Sequence, residues 1–275
     1  MRVKVIASGS TGNCTYVETK DHKILIDTGV SKKTIDFCLN SMGVEFNQID
    51  TVLITHEHDD HIRSLAAVLR KSEIMCYMTT GTYDAMLQGK NDALKKILVE
   101  RLESGYIILL NRLQKSINYT DILLDDSLIN VLPTFHDASE PVGYKISCLE
   151  QSVVYITDTG YVHNSLYERI CNSDCYVLEF NHDPGVLMAS DRSLSLKRRI
   201  LSDKGHLSNL ACADLVTRLV ENGTTRLVLG HLSKENNIPQ LAFQTSFAAL
   251  ETMGAKEGSD YIMYVAGSDC REVIL

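Results

Sequence analysis

The chain has 275 residues, a formal net charge of −8, and 44% hydrophobic and 23% charged residues. That length builds one large core or two small ones, and the ordinary apolar fraction excludes a disordered or fibrous chain. The acidic balance excludes a protein that grips long duplexes mainly by neutralising phosphates. Any nucleic-acid contact must come from a local basic patch or from bound cations.

The opening run Met1-Arg2-Val3-Lys4-Val5-Ile6 reads as a strand and lacks the apolar core of a signal peptide, and no later run reaches transmembrane length. Cys14, Cys38, Cys76, Cys148, Cys171, Cys175, Cys212 and Cys270 are scattered without a Cys-x-x-Cys pair. Cys171 and Cys175 read as ordinary thiols, and the pattern predicts a reduced, cytoplasmic compartment without membrane contact.

The Gly/Ser loop Ser8-Gly9-Ser10-Thr11-Gly12-Asn13 lacks the Walker ending and favours a β-turn over a phosphate cradle. Cys14–Thr19 and Lys23–Ile26 complete a meander, with an exposed His22 expected at its turn. Asp27 ends the apolar strand Ile24-Leu25-Ile26. A buried carboxylate there needs a partner, such as a metal-ligating histidine. Ser31 caps a helix over Lys32–Met42, which Gly43 ends.

Thr51–Ile54 reads as a buried strand leading into Thr55-His56-Glu57-His58-Asp59-Asp60-His61. Three of the nine histidines fall within six residues here. Imidazole and carboxylate are ligands that borderline divalent metals prefer. In an extended segment His56 and His58 point the same way, and Asp60 and His61 lie past the bend. Beyond them come a helix around Ser64–Lys71, a strand Ile74–Met78, and helices Thr82–Gln88 and Asn91–Glu103. Residues 89–120 read as a local elaboration, a lid or a subunit contact.

Four later apolar runs repeat the pattern of a strand delivering a reactive side chain at its carboxyl end. Val131–Phe135 leads to His136-Asp137, and Val153–Thr157 to Asp158-Thr159-Gly160. Tyr176–Leu178 leads to Glu179 with His182 behind it, and Arg226–Leu229 to Gly230-His231. Such a series predicts a single rim on which ligands converge. His163 is expected on the surface near a helix start.

These residues resemble the metallo-β-lactamase superfamily, whose pattern is Asp, then His-x-His-x-Asp-His, then His, Asp and His. The stretches Ser8–Asn13, Phe135–Ala138, Glu140–Gly143, Thr157–Tyr161, Lys204–Asn209 and His231–Asn237 are similar to its bacterial YycJ/WalJ group, across essentially the whole chain. The resemblance implies an α/β fold, a four-layer αβ/βα sandwich of two mixed sheets face to face with helices outside. It implies a single domain over residues 1–275 and a possible homodimer. By family position His56, His58 and His136 hold a first metal. Asp60, His61 and His231 hold a second, Asp158 bridges them, and Asp27 supports a ligand from behind. The histidine-rich set suits Zn2+, and the Asp-containing site also suits Mn2+. Two such cations bridge a hydroxide and clamp a phosphoryl transition state.

Glu179 and Gly205-His206-Leu207-Ser208 resemble the elements of ribonuclease Z in which a carboxylate-supported histidine protonates the leaving oxygen. Asp60, His206 and Glu179 are therefore the expected catalytic residues. Lys197, Arg198, Arg199, His182, Ser233 and Lys234 are candidate substrate contacts. The long insertion of ribonuclease J-type relatives is absent, which favours DNA or RNA ends, or a small nucleotide phosphodiester, over long structured RNA. The expectation is a binuclear phosphodiesterase, a 5′ exonuclease on DNA, with RNA as a further substrate option. A phosphodiesterase for small cyclic nucleotides, a glyoxalase-like thioesterase and a non-catalytic metal-binding protein are the alternatives.

Overall fold

The computed structural model describes residues 1–70, 73–113, 118–221, 223, 226–266 and 272–274. Among the described residues, 14 strands form two seven-stranded mixed sheets. The first contains β1 (Arg2–Ala7), β2 (Cys14–Glu18), β3 (Lys23–Ile26), β4 (Thr51–Leu53), β5 (Met75–Thr79), β6 (Ile107–Leu110) and β14 (Glu272–Ile274), in the order β14-β1-β2-β3-β4-β5-β6. The second contains β7 (Ile122–Leu123), β8 (Ser127–Pro133), β9 (Val142–Cys148), β10 (Gln151–Ile156), β11 (Cys175–Glu179), β12 (Arg226–Gly230) and β13 (Ile262–Val265), in the order β13-β12-β11-β10-β9-β8-β7.

By their internal contacts the residues form two compact units. One runs to Pro133 and includes Ala138–Val142 and β14; the other comprises Thr134–Asp137 and the described chain from Gly143 to Ala266. In the first unit β3, β4, β5 and β6 pair in parallel, beside the antiparallel β1–β2–β3 meander. In the second, β10, β11, β12 and β13 are parallel, and β9 pairs antiparallel with β10. Parallel strands covered on both faces read as continuous apolar runs, which is why Ile24–Ile26, Thr51–Leu53 and Tyr176–Leu178 show no alternation.

The helices between strands cover these sheets with apolar stripes. In the first unit they are α1 (Lys32–Asn40), α2 (Asp59–Ile62), α3 (Leu65–Leu69), α4 (Thr80–Gln88) and α5 (Asp92–Glu103). Ile35, Leu39, Leu65, Val68 and Leu98 join Tyr16, Leu25, Val52 and Cys76 in one core. The second unit holds α6 (Asn164–Ile170), α7 (Pro184–Ala189), α8 (Leu194–Ile200), α9 (Asn209–Glu221) and α10 (Pro239–Thr252).

Several boundaries differ from the sequence reading. Helix α1 stops at Asn40, two residues early, because Ser41 Oγ turns back onto Cys38 O and Gly43 takes φ +75°. Strand β8 ends at Pro133, so His136 lies in the loop beyond it. His22, expected to be exposed, is half-buried, with Nδ1 3.1 Å from Asp50 Oδ1. His163 is exposed and caps α6 by accepting from Ser165 N. The described cysteines are free thiols, all buried but the half-buried Cys171, whereas Cys270 lies outside the described residues. The expected elaboration at 89–120 contains α5, capped by Asn91, and β6; residues 114–117 lie outside the described residues. No described helix is long and apolar enough to cross a membrane.

Candidate metal-binding clusters

The first unit gathers its chemistry where β3 and β4 end side by side. Asp27 follows β3 in a left-handed conformation, φ 61°, which turns its carboxylate under the histidine segment. Asp27 Oδ1 accepts from Thr55 N at 2.9 Å, and Oδ2 accepts from Thr55 Oγ1 at 2.9 Å. Oδ2 also lies 2.7 Å from His61 Nδ1. Burial pushes the Asp27 carboxyl up from its ordinary value, against the pull of His61 and Thr55. With the proton on Nδ1, His61 keeps a lone pair on Nε2.

His58 sits at the N-cap of α2, and His56 Nε2 is 3.0 Å from His58 Nδ1, so the two rings share a side. The Gly/Ser loop is a turn, closed by Gly12 N donating to Gly9 O at 2.9 Å. Asn13 Oδ1 accepts from Gly9 N at 2.8 Å, so that N–H is satisfied within the loop. Asn13 Nδ2 reaches Asp60 Oδ2 at 3.2 Å and His61 Nε2 at 3.0 Å. The backbone clamps the same residues: Asn13 N donates to Asp60 O and Thr28 N to His61 O, both at 2.7 Å. Gly29 permits this closeness, since a Cβ there would lie 1.6 Å from Asp60 O.

The second unit carries a second cluster. Glu179, at the end of β11, is fully buried and supports two histidines through one oxygen. Glu179 Oε1 lies 2.6 Å from His206 Nδ1 and 2.9 Å from His231 Nδ1, while Oε2 accepts from Thr159 N at 2.9 Å. Burial works against the charged carboxylate, but His206 and His231 outweigh it and hold Glu179 down to about 2. In return, although burial disfavours the imidazolium, the Glu179 charge raises His206 above its ordinary value. Asp158 and His231 both follow strand ends with left-handed backbones, φ 56° and 53°.

His136 Nδ1 lies 3.0 Å from Gly205 O, which places the proton there and leaves a lone pair on Nε2. That nitrogen faces Asp137 Oδ1 at 3.1 Å and Asp158 Oδ1 at 3.6 Å. His231 Nε2 faces Asp158 Oδ2 at 3.5 Å. Lone pairs directed at carboxylate oxygens repel one another, and a divalent cation between them reverses the sign. Asp158, Glu179, His206 and His231 each bring a ligand atom within 4.8 Å of the others. The donor set of both clusters, imidazole and carboxylate, therefore fits a borderline divalent metal.

The candidate substrate contacts divide. Lys197 is a correction: it is buried, and Nζ donates to Met188 O at 2.8 Å and Ser190 O at 2.7 Å, the open carbonyls at the end of α7. Its ammonium is a staple between helices and not a phosphate contact. Arg198 is exposed, and Arg199 pairs with Asp137 through Nε at 2.5 Å. Ser233 Oγ accepts from Asn236 N at 3.2 Å, and Lys234 is exposed. His182 is buried, with no hydrogen-bond partner at either ring nitrogen among the described residues, and burial pushes it down to about 4. Sequence reasoning overlooked Asn13, Thr55, Asp137 and Thr159. Each is a neighbour of, or lies within, a motif already noted, and their roles depend on turns that composition does not reveal.

A sequence profile for the Beta-lactamase superfamily domain matches residues 22–232, which include every residue from Asp27 to His231. The chain belongs to the β-lactamase superfamily. Within the superfamily it is 35% identical over 272 residues to the Exodeoxyribonuclease WalJ of Streptococcus pneumoniae serotype 2, covering 98% of this chain and 95% of that protein. It is 33% identical over 267 residues to the Exodeoxyribonuclease YycJ of Bacillus anthracis, covering 95% and 93%. The crystal structure of the metallo-β-lactamase fold protein YhfI from Bacillus subtilis aligns with a TM-score of 0.69 at 16% identity, covering 99% of each chain. The superfamily fold, α/β with two mixed sheets and helices, is the fold described above.

Proposed function

We propose that this β-lactamase-superfamily protein is a metal-dependent exonuclease that removes nucleotides from DNA ends. The near-full-length likeness to two exodeoxyribonucleases supports the reaction class. The observation that carries it to a mechanism is the buried Glu179 beneath His206, 2.6 Å from its Nδ1. A carboxylate so placed keeps a proton on His206, and only its ring tip is left to meet a substrate.

The ligands are those of the family pattern: His56, His58, Asp60 and His61 in one unit, with His136, Asp158 and His231 in the other. Two divalent ions held by these residues would supply Lewis-acid charge for phosphodiester hydrolysis, with Zn2+ or Mn2+ as the candidates. Asp27 orients His61, and the Gly205 carbonyl orients His136. Glu179 fixes His206 and His231 together, and the protonated His206 gives its proton to the departing oxygen. Residues 1–275 act as one catalytic domain on this reading, in the cytoplasm, where free thiols such as Cys14, Cys76 and Cys212 remain reduced.

The test is turnover by the metal-loaded protein of a 5′-labelled single-stranded DNA, a matching RNA and a panel of cyclic mononucleotides. Progressive shortening of the DNA is expected, abolished in Asp60→Ala and slowed by about 10²–10⁴-fold in His206→Ala. Hydrolysis of cyclic nucleotides with intact oligonucleotides would sink the exonuclease reading. Turnover of a thioester alone would place the chain among the hydrolases of other esters.

A further inference from the structure

Beside the second cluster lies a pair of aromatic rings for which the hydrolytic chemistry has no use. Phe135 immediately precedes His136, and Tyr161 follows Asp158 by three residues. Their ring centroids are 4.4 Å apart with planes inclined by 21°, a stacked pair. Both residues are half-buried, so neither has been drawn into the core as Phe180 and Tyr176 have.

The pair is held by its backbone and does not rest on chance contact. Thr159 Oγ1 accepts from Phe135 N at 3.1 Å and donates to Tyr161 O at 2.8 Å. One hydroxyl thus ties both ring-bearing residues. Gly160 N adds a bond to Phe135 O at 2.9 Å. Gly160 itself is pressed against the 202–203 turn, where a Cβ would lie 2.3 Å from Asp203 O. The same short loops therefore position His136, Asp158 and the two rings together. Asp137, the residue after His136, holds the exposed guanidinium of Arg199 by its Nε and Nη2.

We propose that the Phe135–Tyr161 stack is a platform for the nucleobase of the terminal nucleotide, with Arg199, tied to Asp137 two residues along from Phe135, as the cation that meets a phosphate. This rests on the exonuclease reading. A flat apolar face accepts any base, because every base offers a π-face, and it does so without positive charge. That matters for a chain with a net charge of −8. Base stacking on an aromatic platform supplies affinity that an acidic protein cannot draw from phosphate neutralisation. A rigid, pre-stacked pair also loses little side-chain freedom on binding.

The experiment compares two single-stranded DNAs that differ only in whether the terminal nucleotides carry bases or abasic tetrahydrofuran residues, digested by the metal-loaded full chain. Wild type is expected to show a KM about ten-fold lower on the base-bearing end, the range of one base–aromatic stack. Tyr161→Leu and Phe135→Leu raise KM on that end toward the abasic value while kcat falls much less. Tyr161→Phe restores the discrimination. If both leucine variants discriminate as wild type does, or if wild type degrades both DNAs alike, the platform is overturned and the nuclease stands. If wild type shortens neither DNA, the nuclease reading and the platform fall together.

Discussion

At the scale of the residue, the site depends on side chains that touch no substrate. Asp27 is completely buried and binds Thr55 twice and His61 once. Its contact keeps the His61 proton on Nδ1 and leaves Nε2 as the acceptor that faces Asn13 Nδ2, the nitrogen proposed to bind a metal. Asp27→Asn has nearly the same shape but replaces one acceptor oxygen by a donor. The expected result is a metal affinity about 10–100-fold weaker, the usual cost of losing a carboxylate behind a ligating imidazole. Competition with a chromophoric chelator measures it, and an unchanged affinity would remove Asp27 from the metal-binding argument. Glu179 plays the corresponding part in the second cluster, where one carboxylate serves two rings.

At the scale of the element, the recurrent device is a strand end that turns sharply into a loop. Close approach makes that turn sensitive to single atoms. Gly29→Ala would drive a methyl into Asp60 O and to 2.7 Å of Asn13 N, so the clamp on Asp60 and His61 must open. Activity should be lost and the melting temperature should drop. Gly43→Ala is the contrast: its φ is +75° but nothing lies within 4 Å, so a cost of about 1 kcal/mol with full activity is expected. Equal effects of the two substitutions on activity would refute the clamp. Element types were legible in the sequence, because parallel strands such as β4 and β11 announce themselves as unbroken apolar runs ending in a polar ligand. The clustering of His56, His58 and His61 was legible through the His-x-His-x-Asp-His spacing. Lys197 was not. A lysine in a basic run reads as solvated, and only the end of α7, with carbonyls that no helical turn satisfies, explains why this one turns inward. Asn13 was hidden for a similar reason, since its side chain acts through a turn whose partner is 47 residues away.

At the scale of the whole molecule, much of the buried polar inventory sits in the two clusters. Buried carboxylates and imidazoles are costly unless paired, and several of the facing pairs here place lone pair against lone pair. A cation removes that repulsion, so metal binding and folding are linked. With free metal at a hundredfold excess over its Kd, the stabilisation is about 2.7 kcal/mol per site. In a chain of this size that amounts to roughly 5–10 °C in Tm. A chelator should reverse it, and scanning calorimetry with and without Zn2+ or Mn2+ is the check. An unmoved Tm would mean that the clusters do not bind metal in the folded state.

Asp27, Asp158 and His231 share a left-handed backbone without being glycine. Aspartate, asparagine and histidine tolerate that region better than other side chains. The backbone therefore limits how the donors of either cluster can be exchanged. Asp158→Asn keeps a residue that the turn accepts, whereas Asp158→Glu or His231→Cys, chemically reasonable donor exchanges, meets a conformational toll before any ion arrives. A designer seeking a softer or larger coordination sphere would do better to vary His56 or His136, which have no such backbone constraint, and leave the three turns alone.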